Sequence, residues 1–227
     1  KYYMRERRVV VTGLGTVTPI GNDVNTYWNN LTQGVSGIDK VTKFDASQLT
    51  SQIAGEVKDF DISLYMDPKE ARRMDPFTHY GMAAAKQAIE DAGLDMDKED
   101  RARAGVIVGV GIGGMIVYHN EHAKLLEKGP RRVSPFFIPM MIPDILSGHI
   151  SIQYNMQGPN YASVSACASG AHAIGLGLMH IERGDADIMV VGGAEGTITE
   201  MSFAGFCSAK TLSTRNDEPK KASRPFD

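Results

Sequence analysis

Residues 186–192 read Ala-Asp-Ile-Met-Val-Val-Gly, a near-continuous apolar run of the kind a strand carries when both its faces are covered. Such a strand needs helices above and below its sheet, which directs the chain toward a layered α/β fold. Residues 104–110 repeat the pattern. Residues 8–12, Arg-Val-Val-Val-Thr, add a third β-branched run that ends in the glycine turn Gly13-Leu14-Gly15 and reads as a central strand. With 227 residues, 42% of them hydrophobic, the chain can bury one sizeable core, and no internal repeat divides it.

Helix signals fall between these runs. Asp23 is placed to cap a helix to about Leu31, with Trp28 and Leu31 at i, i+3 turned toward the core. Residues 34–45 read as a loop. Asp75-Pro76 opens a helix over 77–92, whose alanine-rich stretch 82–88 suits close packing and which Gly93 ends. Residues 143–154 read as a further helix, and Gly158-Pro159 as a turn. Residues 215–227 are polar and proline-containing, with no closing element.

The segment Val164-Ser165-Ala166-Cys167-Ala168-Ser169-Gly170 sets a cysteine among small residues. It lies where an extended stretch, 161–165, gives way to a helix over 171–181. Unpaired N–H groups and the helix dipole at such a point favour a thiolate, and small neighbours let a substrate carbonyl approach the sulfur. Cys167 is thus a candidate nucleophile; the alternative is a small apolar filler, since free cysteine is often buried. Cys207 has no helix-start setting and serves as the comparison thiol. A helix rotates His172 off the face of Cys167, so it reads as a structural histidine rather than a base. Glu195, at the end of the 186–192 run, reads as a capping or hydrogen-bonding residue.

Glycines invite other readings. After Gly13 and Gly15 the third glycine is displaced to Gly21 and Pro19 interrupts, so a dinucleotide fingerprint is not met. The glycine loop 109–114 lies at the carboxyl end of a strand, where open α/β sheets bind ligands, but no Gly-Lys-Ser/Thr follows to cradle phosphate. His119 and His122, at i, i+3, are a surface pair or two metal ligands, and a third ligand at usual spacing is missing.

A net charge of −3 gives no overall attraction to nucleic acid or an anionic membrane, so an acidic partner must meet a local basic patch. Lys69, Arg72 and Arg73, at i, i+3, i+4, would share one helix face, as a docking surface or an ordinary solvated one. Residues 129–139 combine Arg131 and Arg132 with Phe136, Phe137 and three prolines, as an interface loop or as local core. Cys167 and Cys207 form no CxxC, which disfavours a zinc site and a disulfide framework and suits a reducing compartment, the cytoplasm. No apolar run approaches a membrane span and the start has no signal-peptide core. Lys1, Tyr2 and Tyr3 read as an extension before a native Met4.

Several motifs occur in order: Val164 to Gly170; Gly184-Asp185-Ala186-Asp187 leading into Val190-Val191-Gly192-Gly193-Ala194-Glu195; Leu212-Ser213-Thr214-Arg215-Asn216-Asp217; and Ala222-Ser223-Arg224-Pro225-Phe226-Asp227. Together they resemble the β-ketoacyl-acyl-carrier-protein synthases, and among them the elongating synthase II group, from Arg7 to Asp227. The resemblance implies a thiolase-like fold of two related halves, each a mixed sheet covered by helices, with this chain as the first. It implies that Cys167 accepts the acyl group and that Ile112 and Phe206 line the acyl pocket, with Phe137 reaching across a dimer interface toward the partner's pocket. Lys69, Arg72, Arg73, Arg131, Arg132 and Lys210 match contacts to an acidic acyl carrier protein, whose phosphopantetheine arm brings the substrate. The resemblance implies no bound cofactor or metal, and it implies a homodimeric assembly. In the family two catalytic histidines, a lysine and a glycine-rich gating loop come from the second half, so residues 1–227 read as a fragment or part of a split enzyme. Two alternatives are a noncatalytic chain-length-factor-like subunit of a polyketide synthase, which typically carries glutamine at the nucleophile position, and a thiolase acting on coenzyme A thioesters. Residues 213–217 and 224–227 look like the synthases instead.

Overall fold

Two of the apolar runs meet side by side at the centre of the fold in a computed structural model that describes residues 7–226. Residues 1–6, with the reading of Met4 as the native start, and Asp227 lie outside the described residues. In chain order the elements are α1 (Val24–Thr32), β1 (Ile38–Lys40), β2 (Ile53–Gly55), α2 (Pro68–Ala71), α3 (Pro76–Asp91), β3 (Ala104–Gly109) and α4 (Met115–Lys128). Then follow α5 (Phe137–Met141), α6 (Ile145–Tyr154), β4 (Asn160–Tyr161), α7 (Ser169–Arg183), β5 (Ile188–Gly193) and α8 (Glu200–Ser208).

The main sheet has the order β4-β3-β5 and is parallel throughout, with Ala104 opposite Ile188 and Gly109 opposite Gly193. Every residue of β3 is buried, as its run of small and β-branched residues predicts for a doubly covered strand. Val106, Val108 and Val110 pack into one cluster with Phe77, Met82, Ala85 and Ile89 of α3 and with Leu146 and Ile150 of α6. On the opposite face α7 lies so close that a Cβ on Gly109 would stand 2.1 Å from the Ser169 carbonyl. Glycine ends β3 because only a residue without a side chain admits this approach. At the other end of the strands, Asp187 pairs with both Arg103 and Arg7, which ties the start of β3 to the start of β5. Hydrogen bonds from Arg103 and then Arg7 hold the Asp187 carboxyl well below the usual carboxylate range.

The helix expected after Asp75-Pro76 runs one residue ahead of its predicted limits, and Gly93 follows it at φ +60°. Five expectations are corrected. β5, read as covered on both faces, is only half-buried along its length and its last residue, Gly193, is exposed. Residues 8–12 form no strand and Val11 is left 79% exposed; just past them Leu14 N–H donates to Asp91 and Thr16 N–H to Gln87, so α3 side chains hold the chain as it leaves this stretch. Trp28 and Leu31 are 60% and 45% exposed, so α1 turns neither into the core. The expected loop 34–45 contains β1, antiparallel to β2 with Asp39 opposite Ala54. The strand expected over 161–165 shrinks to β4 plus one further bond, from Val110 N–H to the Ser163 carbonyl. Strand directions are therefore mixed across the molecule, antiparallel in this pair and parallel in the main sheet.

Candidate active site

Cys167 is exposed, immediately ahead of Ala168, the N-cap of α7, above the carboxyl ends of β3 and β5. The turn that presents it is strained: Ala166 has φ +51°, a left-handed conformation that costs a non-glycine residue about 1 kcal/mol or more. Ser169 holds that turn. Its buried hydroxyl donates to the Ala166 carbonyl at 2.7 Å and accepts from Ser165 N–H at 2.9 Å, while its carbonyl accepts from the Ser163 hydroxyl at 2.8 Å. Beneath the turn, a Cβ on Gly170 would stand 3.2 Å from Gly193, so the first turn of α7 rests directly on the end of β5. His172 points its Nδ1 at the Ser165 hydroxyl, 2.6 Å away, two residues before the cysteine. Cys207 is part-buried within α8.

The glycine loop after β3 lies beside this turn. Glu195 Oε2 accepts from Gly111 N–H at 3.1 Å and Ile112 N–H at 3.0 Å, which gives that residue the hydrogen-bonding role expected of it. Close surroundings push the Glu195 carboxyl up from its ordinary value, the N–H groups of Ile112, Gly196 and Gly111 oppose this, and the residue as a whole stays exposed. Asp75 was unmarked in the sequence beyond its place as a helix start. It is completely buried and caps two helices at once: Oδ1 accepts from Phe77 N–H in α3, Oδ2 from Val117 N–H in α4 at 2.8 Å. Gly114 gives α4 no side-chain cap, so Asp75 supplies one from 42 residues away. Burial pushes the Asp75 carboxyl up to about 6, with the Glu195 charge adding to it.

The other expected site residues fall into groups. Ile112 is 42% exposed on the glycine loop, and that loop leans on α5, where Gly114 N–H donates to the Met141 carbonyl. Phe137 begins the same α5 and packs near Tyr118 of α4, ring centres 6.3 Å apart. Phe206 is on α8, lining a cavity of about 370 Å³ with Ile53, Ile198, Phe203 and Leu212, whose lining includes neither Ile112 nor Phe137. Lys69, Arg72 and Arg73 are exposed but do not share a helix face, because α2 ends at Ala71 and the chain turns there. That turn carries Arg73 over the Phe136 ring, 4.5 Å from its centre, and so joins this basic segment to the one bearing Arg131 and Arg132. Both of those arginines are exposed, Arg132 beside Lys124 and Lys128, and Lys210 is exposed just past α8. His122 stacks on Tyr118, and no group of three or more metal-ligating side chains is found among the described residues. No helix among the described residues is long and apolar enough to cross a membrane.

A cysteine on a strained turn at a helix start, over the ends of a parallel sheet, sits here in a fold of the thiolase-like ketosynthase class. A β-ketoacyl synthase from Burkholderia phymatum superposes with a TM-score of 0.85 at 30% identity, over 97% of this chain and 54% of that one. A type II PKS acyl-carrier protein in complex with its ketosynthase bound to the hexaketide gives 0.79 at 28% identity, over 92% and 56%. The Beta-ketoacyl synthase, N-terminal domain, family matches residues 6–227, and the chain belongs to that family. The 3-oxoacyl-[acyl-carrier-protein] synthase 2 of Staphylococcus aureus strain COL is 50% identical over 98% of this chain and 53% of its own length. The chain thus spans about half the length of the curated relatives it matches.

Proposed function

We propose that this chain supplies the nucleophile of a β-ketoacyl-acyl-carrier-protein synthase, a cytoplasmic homodimer acting in fatty acid elongation. The observation that carries the reading is the exposed Cys167 on its strained turn at the start of α7, with the Ile112 loop beside it. The Cys167 thiolate attacks the thioester carbonyl of an acyl group on the carrier's phosphopantetheine arm. A carbon–sulfur bond forms to Cys167 as the carrier thiol leaves, and the Cys167 N–H donates to the transient oxyanion. Malonyl-carrier protein then loses carbon dioxide, and the freed electron pair attacks the acyl carbonyl. Cys167 is expelled, leaving a β-ketoacyl chain two carbons longer on the carrier.

Lys69, Arg72, Arg73, Arg131, Arg132 and Lys210 receive the acidic carrier. Ile112 and Phe206, with Phe137 from the partner protomer, bound the acyl chain. The decarboxylation step draws on the histidines of a second half, so residues 1–227 alone accept an acyl group without completing a condensation. Family membership and relatives named as synthases support this reading, as does the intact cysteine where chain-length factors carry glutamine.

Intact-mass measurement after incubation with acyl-carrier protein tests it: one acyl adduct is expected, lost in Cys167→Ala, and no adduct overturns the reading. Iodoacetamide is expected to alkylate Cys167 at least about tenfold faster than Cys207, and equal native rates would remove the argument from helix-start placement.

A further inference from the structure

Gly111 is held between two groups. A Cβ there would stand 2.9 Å from Glu195 Oε2 on one side and 3.3 Å from the Ala166 carbonyl on the other. Ala166 is the strained residue directly before Cys167. One carboxylate oxygen takes both the Gly111 and Ile112 amides, so the loop that bears Ile112 is fastened to Glu195 and lies against the cysteine turn. The far end of the loop is fixed independently, by Met141 O at Gly114 and by Asp75 at Val117. Glu195 itself follows directly on β5 and Ala194, whose N–H donates to the Gly109 carbonyl. The carboxylate is therefore anchored to the same sheet that seats α7, and a strained backbone persists only where its surroundings fix it.

We propose that Glu195 is a positioning residue for acyl transfer: through Gly111 and Ile112 it sets the loop against Ala166, and so fixes both the turn that presents Cys167 and the side chain that meets the acyl group. This rests on the acyl-transfer reading above. Because the Gly111 and Ile112 amides both end on Oε2, what holds this part of the loop is an acceptor at that oxygen's position. The amide oxygen of Glu195→Gln meets that need. Glu195→Asp, one methylene shorter, falls short of both N–H groups, and Glu195→Ala offers nothing.

The test uses the full-length gene product with these three variants. Amide hydrogen exchange at Gly111 and Ile112 is expected to rise about tenfold in the Ala and Asp variants and to return to the parent rate in Gln, with Val106 and Ile107 of β3 unchanged. The ratio of Cys167 acylation rates with short and long acyl-carrier substrates shifts by about tenfold in the same two variants and is restored in Gln. Unchanged exchange in the Ala and Asp variants, or a Gln variant as fast as Ala, overturns the proposal. Should the Ala variant fail to fold, Asp against Gln makes the same comparison. If the parent takes no acyl group, the acyl-transfer reading falls on its own. Loop exchange and the iodoacetamide rate at Cys167, expected to differ between Asp and Gln, then decide the positioning role.

Discussion

Two stretches of this chain are written almost alike and end up in opposite settings. Residues 104–111 read Ala-Gly-Val-Ile-Val-Gly-Val-Gly and residues 8–15 read Arg-Val-Val-Val-Thr-Gly-Leu-Gly. The first is the buried middle strand of the sheet; the second is extended chain with Val10 and Val11 largely exposed. Both glycine pairs mark a close approach, of α7 to Gly109 and of the Ala84 and Ala88 carbonyls of α3 to Gly15 and Gly13. What differs is the company each keeps. β3 has a parallel partner on each side, whereas residues 9–14 border a groove of about 370 Å³ facing β5, with the Leu14 amide given to Asp91 and that of Thr16, just beyond, to Gln87. Strand preference describes a surface that fits a sheet, and it becomes a strand only where a neighbour completes the ladder.

Truncating a side chain in each stretch separates the two settings most plainly. Ile107 is fully buried, so Ile107→Ala is expected to cost about 2–5 kcal/mol in urea unfolding. A loss below 1 kcal/mol would mean that β3 is not the packed centre. Next comes the core that covers it. Asp75 titrates at an ordinary 3.8 when unfolded and at about 6 when folded. Between those values the native state keeps a proton that the unfolded chain has released. Stability therefore falls as pH rises from about 4 to about 6, by at most about 3 kcal/mol, and is level above that. Asp75→Asn is expected to remove this slope, read as the difference between parent and variant unfolding free energies across the window; parallel curves would refute it. The smallest effect belongs to the other stretch. Val11→Ala is expected to change stability by less than about 0.5 kcal/mol, and a loss above about 1 kcal/mol would show that residues 9–14 are covered after all.

Features with a short-range signature were legible in the sequence. The α3 boundaries follow from Asp75-Pro76 and Gly93, β3 and β5 from their apolar runs, and α7 from the stretch after Cys167. The cysteine stood out because its neighbours are all small. What stayed hidden depends on partners far along the chain. Nothing near Asp75 announces that it also caps α4, because Val117 is 42 positions away. Glu195 was legible as a hydrogen-bonding residue but not its donors, 83 and 84 positions back. The helical spacing of Lys69, Arg72 and Arg73 was real, yet α2 stops at Ala71, so a periodic pattern outran its helix. Trp28 and Leu31 show the same limit, since spacing names a face without saying what covers it.

The seating of Gly170 on Gly193 has a consequence in time as well as in space. The strand beneath Cys167's helix follows the cysteine in the chain, and its register partner in β3 lies 84 residues upstream, so the platform closes only when distant segments meet. A nascent chain that has emerged as far as Arg183 already carries the thiol but has no β5 for α7 to rest on. The thiol is made early and its seat late, so Cys167 gains its folded surroundings only once the sheet is joined.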